Sequence, residues 1–184
     1  MGQDKALLPW MTGTFLSTAI RALQALTDLV IVVAGANANE LEPVVNANAA
    51  FMVVNPKPEL GQLSSLQTGL QDLLNRGRDA ALVTLVDRPA PAVETIEQVK
   101  DAFVAAGLGT WAAIPEYGGK HGHPIAIGRE MISAFLSAPL AASAREVEHA
   151  HQKNILYIPV SDPLVTVNIN TPDDLKKLQA GSNA

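Results

Sequence analysis

The sequence predicts an α/β protein, a mainly parallel sheet covered by helices, on three observations. Short apolar, β-branched runs recur along the chain. Stretches with apolar residues at i, i+3 and i+4 alternate with them. The length of 184 residues suits one core and is too short for two comfortable ones. Strands buried on both faces read as continuous apolar runs, and their alternation with amphipathic helices is the pattern of a sheet wound with helices.

The expected strands are Leu29 to Ala34, Phe51 to Asn55, Ala81 to Val86, Trp111 to Ile114, Pro124 to Ile127, Ile155 to Val160 and Val165 to Ile169. The expected helices are Thr14 to Leu26, Leu63 to Asn75, Val93 to Ala106, Glu130 to Leu136, Ala144 to His151 and Asp173 to Gln179. The Ala- and Asn-rich stretch between Ala34 and Ala50 reads as a surface helix or loop. No repeat, low-complexity tract or linker divides the chain, so residues 1–180 read as one domain and 181–184 as a frayed tail.

Composition narrows the function classes. Hydrophobic residues make up 48% of the chain and charged ones 17%, which points to a folded protein. A net charge of −5 provides no broad attractive field for a polyanion, so a general nucleic-acid binder is not expected; a local basic site for one phosphate group is compatible with it. There are no cysteines, hence no disulfide or thiolate metal site. No apolar run approaches the ~20 residues of a membrane helix and no secretory signal is seen, so the expected compartment is the cytoplasm.

Five segments carry candidate chemistry. In Met1-Gly2-Gln3-Asp4-Lys5, Gly2 beside a single Lys5 can approach and neutralise a phosphate; the alternative is an ordinary polar terminus. In Val83-Thr84-Leu85-Val86-Asp87-Arg88-Pro89, a carboxylate ends an apolar run at the edge where α/β proteins place ligands. Asp87 reads either as a ligand of a hard cation such as Mg²⁺ or as the cap of a helix starting near Pro91. Gly61, Ser64 and Ser65, after Asn55-Pro56, offer loop amides and hydroxyls to a nucleotide, or Ser64 simply caps a helix. The run Gly118 to Pro124 combines flexible backbone with Lys120, His121 and His123, suiting a second anionic substrate or forming a solvated turn; no third ligand makes it a zinc site. Thr171 and Pro172 read as a helix start, whereas Asn168 and Asn170, on one side of an expected strand, have no such structural explanation.

Together, M-G-x-D-K-x-L-L-P, N-P-x(4)-G-x(2)-S-S-L, V-D-R-P, G-H-P and N-I-N-T-P-x-D-L resemble, in order and distance, the MobA-like NTP transferases, which include molybdenum-cofactor guanylyl- and cytidylyltransferases. The resemblance spans about Met1 to Leu175. It implies a three-layer, Rossmann-like mixed sheet and transfer of a nucleoside monophosphate from an NTP, CTP or GTP, to a phosphorylated acceptor such as molybdopterin. It also implies a transient contact with a cofactor-receiving enzyme. Lys5 would stabilise charge on the NTP phosphates, and Asp87 would hold Mg²⁺ with help from Asn168 or Asn170, where many relatives have Asp. Gly61, Ser64 and Ser65 would line the nucleotide pocket and His123 would face the acceptor. The S-S-L segment looks like the cytidylyl branch and N-I-N-T-P like the guanylyl branch, so the base stays open. The family's first apolar strand and L-A-A-G-x-S-x-R-like loop are missing ahead of Met1, so the expectation is an N-terminally truncated chain. A non-catalytic binding module and a sugar-phosphate or isoprenoid-precursor nucleotidyltransferase are the alternatives.

Overall fold

A computed structural model describes residues 4–181. After a 3₁₀ turn at Lys5–Leu7, a small antiparallel hairpin, β1 (Pro9–Trp10) and β2 (Gly13–Thr14), leads into helix α1 (Phe15–Gln24). Thr14 and Ser17 close a capping box at the start of α1, satisfying backbone donors that the helix itself leaves free. Strand β3 (Ile31–Ala34), helix α2 (Ala38–Ala47) and strand β4 (Phe51–Val54) form one parallel unit, with Ile31 opposite Phe51 and Ala34 opposite Val54. The Ala- and Asn-rich stretch is thus mostly helix, with Leu41 and Val45 as its buried stripe.

Helix α3 (Gln62–Asn75), strand β5 (Ala81–Val83) and helix α4 (Val93–Ala105) follow, then β6 (Ala112–Tyr117), β7 (Lys120–His121) and β8 (Ile125–Ile127). Helices α5 (Arg129–Ser137) and α6 (Ala144–Ala150), strand β9 (Ile155–Pro159) and helix α7 (Pro172–Gly181) complete the chain. Strand β8 is antiparallel to both β5 and β6, while β9 is parallel to β6. Strands β5, β6 and β9 therefore share one direction, and β8 and the short β7, which is also antiparallel to β6, are the reversed strands of a mixed sheet.

Alternation of side chains along the strands places a helix layer on each face. Ala113 packs with Val99 of α4, whereas Ala112 and Ile114 pack with Leu70 of α3 and Met131 and Phe135 of α5. On β3, Ala34 joins Leu16, Ile20, Leu41 and Val45 of α1 and α2, while Val33 faces α3. Gly69 permits that last approach: a Cβ there would lie 2.6 Å from Val33 Cγ2. The outcome is three layers, with α1, α2 and α4 on one side and α3 and α5 on the other.

Two expectations need correction. Val165 to Ile169 is not a strand. Asp162 caps a 3₁₀ turn over Pro163–Thr166 by accepting from Leu164 N–H at 2.9 Å, and Pro163 at its first position directs the chain away from a ladder. Gly181 belongs to α7 and not to a tail.

Candidate active site

The carboxyl ends of β3 and β5 meet at one rim, and the N-terminal segment crosses it. Asp4 accepts from Ala6 N–H at 2.8 Å, which caps the first 3₁₀ turn, and its other oxygen accepts from the Asn37 amide just beyond β3. The next residue reaches the opposite way: Lys5 Nζ donates to Asn170 Oδ1 at 3.2 Å. Ile169, 1% exposed, holds that partner in place by packing against Leu8, Trp10 and Phe15. Burying Ile169 turns Asn168 and Asn170 outward, and Ile169 N–H donates to the Asp87 carbonyl at 3.3 Å. A short run of contacts thus connects Lys5, Asn170, Ile169 and Asp87 at the same rim.

Asp87 stands in the turn that follows β5, which ends at Val83, three residues short of the expected Val86. The capping alternative fails, because the start of α4 is held by Asp162, whose Oδ2 accepts from Ala92 N–H at 2.9 Å and from the Thr95 hydroxyl at 3.2 Å. Asp87 is left half-buried at the rim without a capping duty.

Beside it, His123 presents Nδ1 to the Val83 carbonyl at 3.3 Å, and its backbone N–H donates to Val165 O at 2.9 Å. Burial, reinforced by the nearby Arg88 charge, pushes its pKa down to about 4. The ring is therefore neutral at pH 7. It does not act as the cationic group expected of the Gly118–Pro124 segment. Gly122 makes the loop possible: a Cβ at that position would sit 2.3 Å from Val165 O.

Arg88 is the residue that sequence reasoning passed over. Its Nη1 makes a long 3.5 Å contact to Val165 O, and its buried Nε has no partner among the described residues. Burial lowers its pKa and Asp87 opposes that effect. The signal was available, since a basic residue directly follows the candidate carboxylate in V-D-R-P.

The Asn55 to Ser65 loop divides its labour differently from the expectation. Asn55, 3% exposed, donates to Ser64 Oγ at 2.8 Å and Ser65 Oγ at 3.0 Å and accepts from Lys57 N–H at 2.9 Å. Ser64 Oγ in turn donates to the Gly61 carbonyl at 2.8 Å. Ser64 is buried and committed to the loop, and the helix cap position is Gly61, with φ 91°, in the region open to glycine. Gly61 is exposed and Ser65 half-buried, so these two reach toward a ligand more readily than Ser64. Gly2 lies outside the described residues.

The profile of the MobA-like NTP transferase domain matches residues 1–155. The chain belongs to that family. It is 24% identical over 175 residues to the molybdenum cofactor cytidylyltransferase of Escherichia coli (strain K12), covering 95% of this chain and 86% of that one. Its fold is similar to Rv0371c from Mycobacterium tuberculosis H37Rv, with a TM-score of 0.79, 20% identity and coverage of 98% and 91%. A manganese complex of that protein gives a TM-score of 0.74 at 20% identity, with coverage of 95% and 90%. A nucleotidyl transferase from Methanothermobacter thermautotroptrophicus matches with a TM-score of 0.77, 23% identity and coverage of 96% and 84%. Family membership makes the protein a nucleotidyltransferase by class, and the three-layer mixed sheet is the fold of these relatives. No helix among the described residues is long and apolar enough to cross a membrane.

Proposed function

We propose that this MobA-like domain transfers a nucleoside monophosphate from an NTP to a phosphorylated acceptor, by family resemblance molybdopterin, in the cytoplasm. An acceptor phosphate oxygen bonds to the α-phosphorus, the bond from that phosphorus to the α,β-bridging oxygen breaks, and pyrophosphate leaves. No covalent enzyme intermediate is needed, because the acceptor phosphate is already a competent nucleophile. The protein's contribution is positioning and charge.

The observation that supports this reading is the pair of hydrogen bonds from Lys5 Nζ to Asn170 and from Ile169 N–H to the Asp87 backbone carbonyl, which brings the Lys5 ammonium and the turn bearing Asp87 to one rim. Lys5 would neutralise phosphate oxygens, Gly61 and Ser65 would border the nucleotide, and neutral His123 would face the acceptor. The residues fit a nucleotide-borne Mg²⁺: Asp87 is a half-buried carboxylate at the rim, and the start of α4 is held by Asp162 instead. Mg²⁺ typically uses one or two carboxylates plus substrate phosphates, which a lone Asp87 suits. When bound, Mg²⁺ would spread the charge that develops on the phosphates; the manganese complex of the mycobacterial neighbour supports a divalent ion. Asn170 already accepts from Lys5, so its amide oxygen is better suited to orienting that ammonium than to ligating the ion. Asn168, exposed at the same rim, is the freer of the two for metal or ribose.

The test is pyrophosphate release with Mg²⁺ and each NTP, CTP first in view of the cytidylyltransferase relative, GTP next, with molybdopterin as acceptor. Asp87→Ala and Lys5→Ala should abolish release while circular dichroism stays unchanged. Normal turnover by Asp87→Ala overturns the mechanism. Calorimetric nucleotide binding without turnover identifies a non-catalytic module instead.

A further inference from the structure

Arg88 follows Asp87 in the turn after β5, and its half-buried side chain reaches the Val165 carbonyl. The contact from Nη1 is 3.5 Å long, at the outer limit of a hydrogen bond. That carbonyl already accepts from His123 N–H at 2.9 Å, so the loop is held without the guanidinium. Nε is buried and has no partner among the described residues. A guanidinium carries five N–H donors in a planar fork, and here one of them is engaged, weakly. An unmatched buried donor on a charged group is costly, and Arg88 bears that cost at the rim where the substrates would bind. The Asp87 carboxylate is felt as a nearby charge but makes no hydrogen bond to Nε, and the proposed reaction commits it to the metal.

Lys5 and Arg88 come to Asp87 from different sides. Lys5 follows Asp4, which is tied to Asn37 beyond β3, whereas Arg88 shares the Val165 carbonyl with His123, just ahead of β8. With Lys5 serving the triphosphate, the second cation is placed for the other anion.

We infer that Arg88 anchors the acceptor: its guanidinium turns from the Val165 carbonyl to the rim and takes two oxygens of the acceptor's phosphate monoester, through Nε and one Nη. The inference rests on the proposed transfer and adds to it the residue that selects a phosphorylated acceptor. The turn exchanges a long neutral contact and an unmatched donor for two charge-assisted hydrogen bonds, in the two-point geometry that a guanidinium fits and an ammonium does not. The third phosphate oxygen stays free to bond to the α-phosphorus. The positive charge offsets repulsion between the incoming phosphate and the triphosphate, a task that His123, neutral at pH 7, does not perform.

The probe is phenyl phosphate, a phosphate monoester with no nucleotide part, titrated into the full 184-residue chain while the Arg88 Nε–H resonance is followed by NMR. The resonance should shift and saturate, and phenol, which lacks the phosphate, should leave it unmoved. In calorimetry Arg88→Gln should bind phenyl phosphate at least about tenfold more weakly, with Arg88→Lys, which keeps the charge and loses the fork, between it and the parent. Both variants should bind Mg·CTP as the parent does. Should Arg88→Gln not fold by circular dichroism, the Nε–H titration and Arg88→Lys decide. An unmoved Nε–H resonance, or unchanged phenyl phosphate affinity in the variants, overturns the proposal. An equal loss of Mg·CTP affinity also overturns it, by putting Arg88 on the triphosphate. Because phenyl phosphate binding needs neither nucleotide nor turnover, its failure is separate from failure of the proposed transfer, which pyrophosphate release reads.

Discussion

Lys5 Nζ donates to Asn170 Oδ1 at 3.2 Å, closing a contact between residues 165 positions apart. The partner is held by Ile169, whose buried side chain packs on Leu8, Trp10 and Phe15 and whose N–H donates to the Asp87 carbonyl. The two ends of the chain therefore build one rim with the turn after β5. Replacing Asn170 by Ala would leave Lys5 charged but unaimed. The expected result is a loss of roughly tenfold to a hundredfold in kcat/KM for pyrophosphate release, less than for Lys5→Ala, checked by steady-state kinetics.

Gly122 lies against the Val165 carbonyl, which also receives His123 N–H and Arg88 Nη1. Gly122→Ala would force a Cβ to within 2.3 Å of that oxygen unless the loop moves. The backbone is on both sides of the clash, so the cost cannot be relieved by a rotamer change. Expected are a destabilisation of about 1–3 kcal/mol in urea unfolding and a larger proportional loss of turnover than a distant mutation of equal cost causes.

His123 supplies a pH prediction. Its folded pKa lies at about 4, below the ordinary 6.5, chiefly through burial. Between those values the unfolded chain binds a proton that the folded chain does not. The stabilisation is complete above pH 6.5 and is lost as pH falls toward 4, by up to about 3 kcal/mol. Chemical unfolding at successive pH values should show this slope, and His123→Gln should flatten the difference between pH 6.5 and 4.

Asn55 ties the end of β4 to the start of α3 through Ser64, Ser65 and Lys57. Asn55→Ala would leave buried donors and acceptors unmatched, at about 1–3 kcal/mol. Since Gly61 and Ser65 belong to the same loop, the KM for NTP should rise along with the loss of stability. Asn55→Asp, which removes the donor while keeping the shape, should behave like the alanine variant in a parallel assay.

Phe135, fully buried between α3 and α5 with Met131 and Ile127, is far from this rim in function. Phe135→Ala should cost about 3–5 kcal/mol in unfolding free energy. At a temperature where the variant remains folded, kcat should be near that of the parent chain.

The sequence by itself determined the alternation of apolar runs and amphipathic stretches, and with it the class of fold. Its five ordered motifs also pointed to the family, because backbone preference, burial period and motif order are written locally. Leu29 to Ala34 and Leu63 to Asn75 are legible in this way, as is the helix start at Thr171 and Pro172. The tertiary structure alone decided what depends on partners distant in the chain. Val165 to Ile169 is apolar enough for a strand, yet Asp162 and Pro163 turn it into a 3₁₀ segment that delivers a carbonyl to His123. Ser64 looks like a ligand group and is instead consumed by Asn55 and Gly61. His123 looks basic and is held neutral, because desolvation is a property of the packed site and not of the residue.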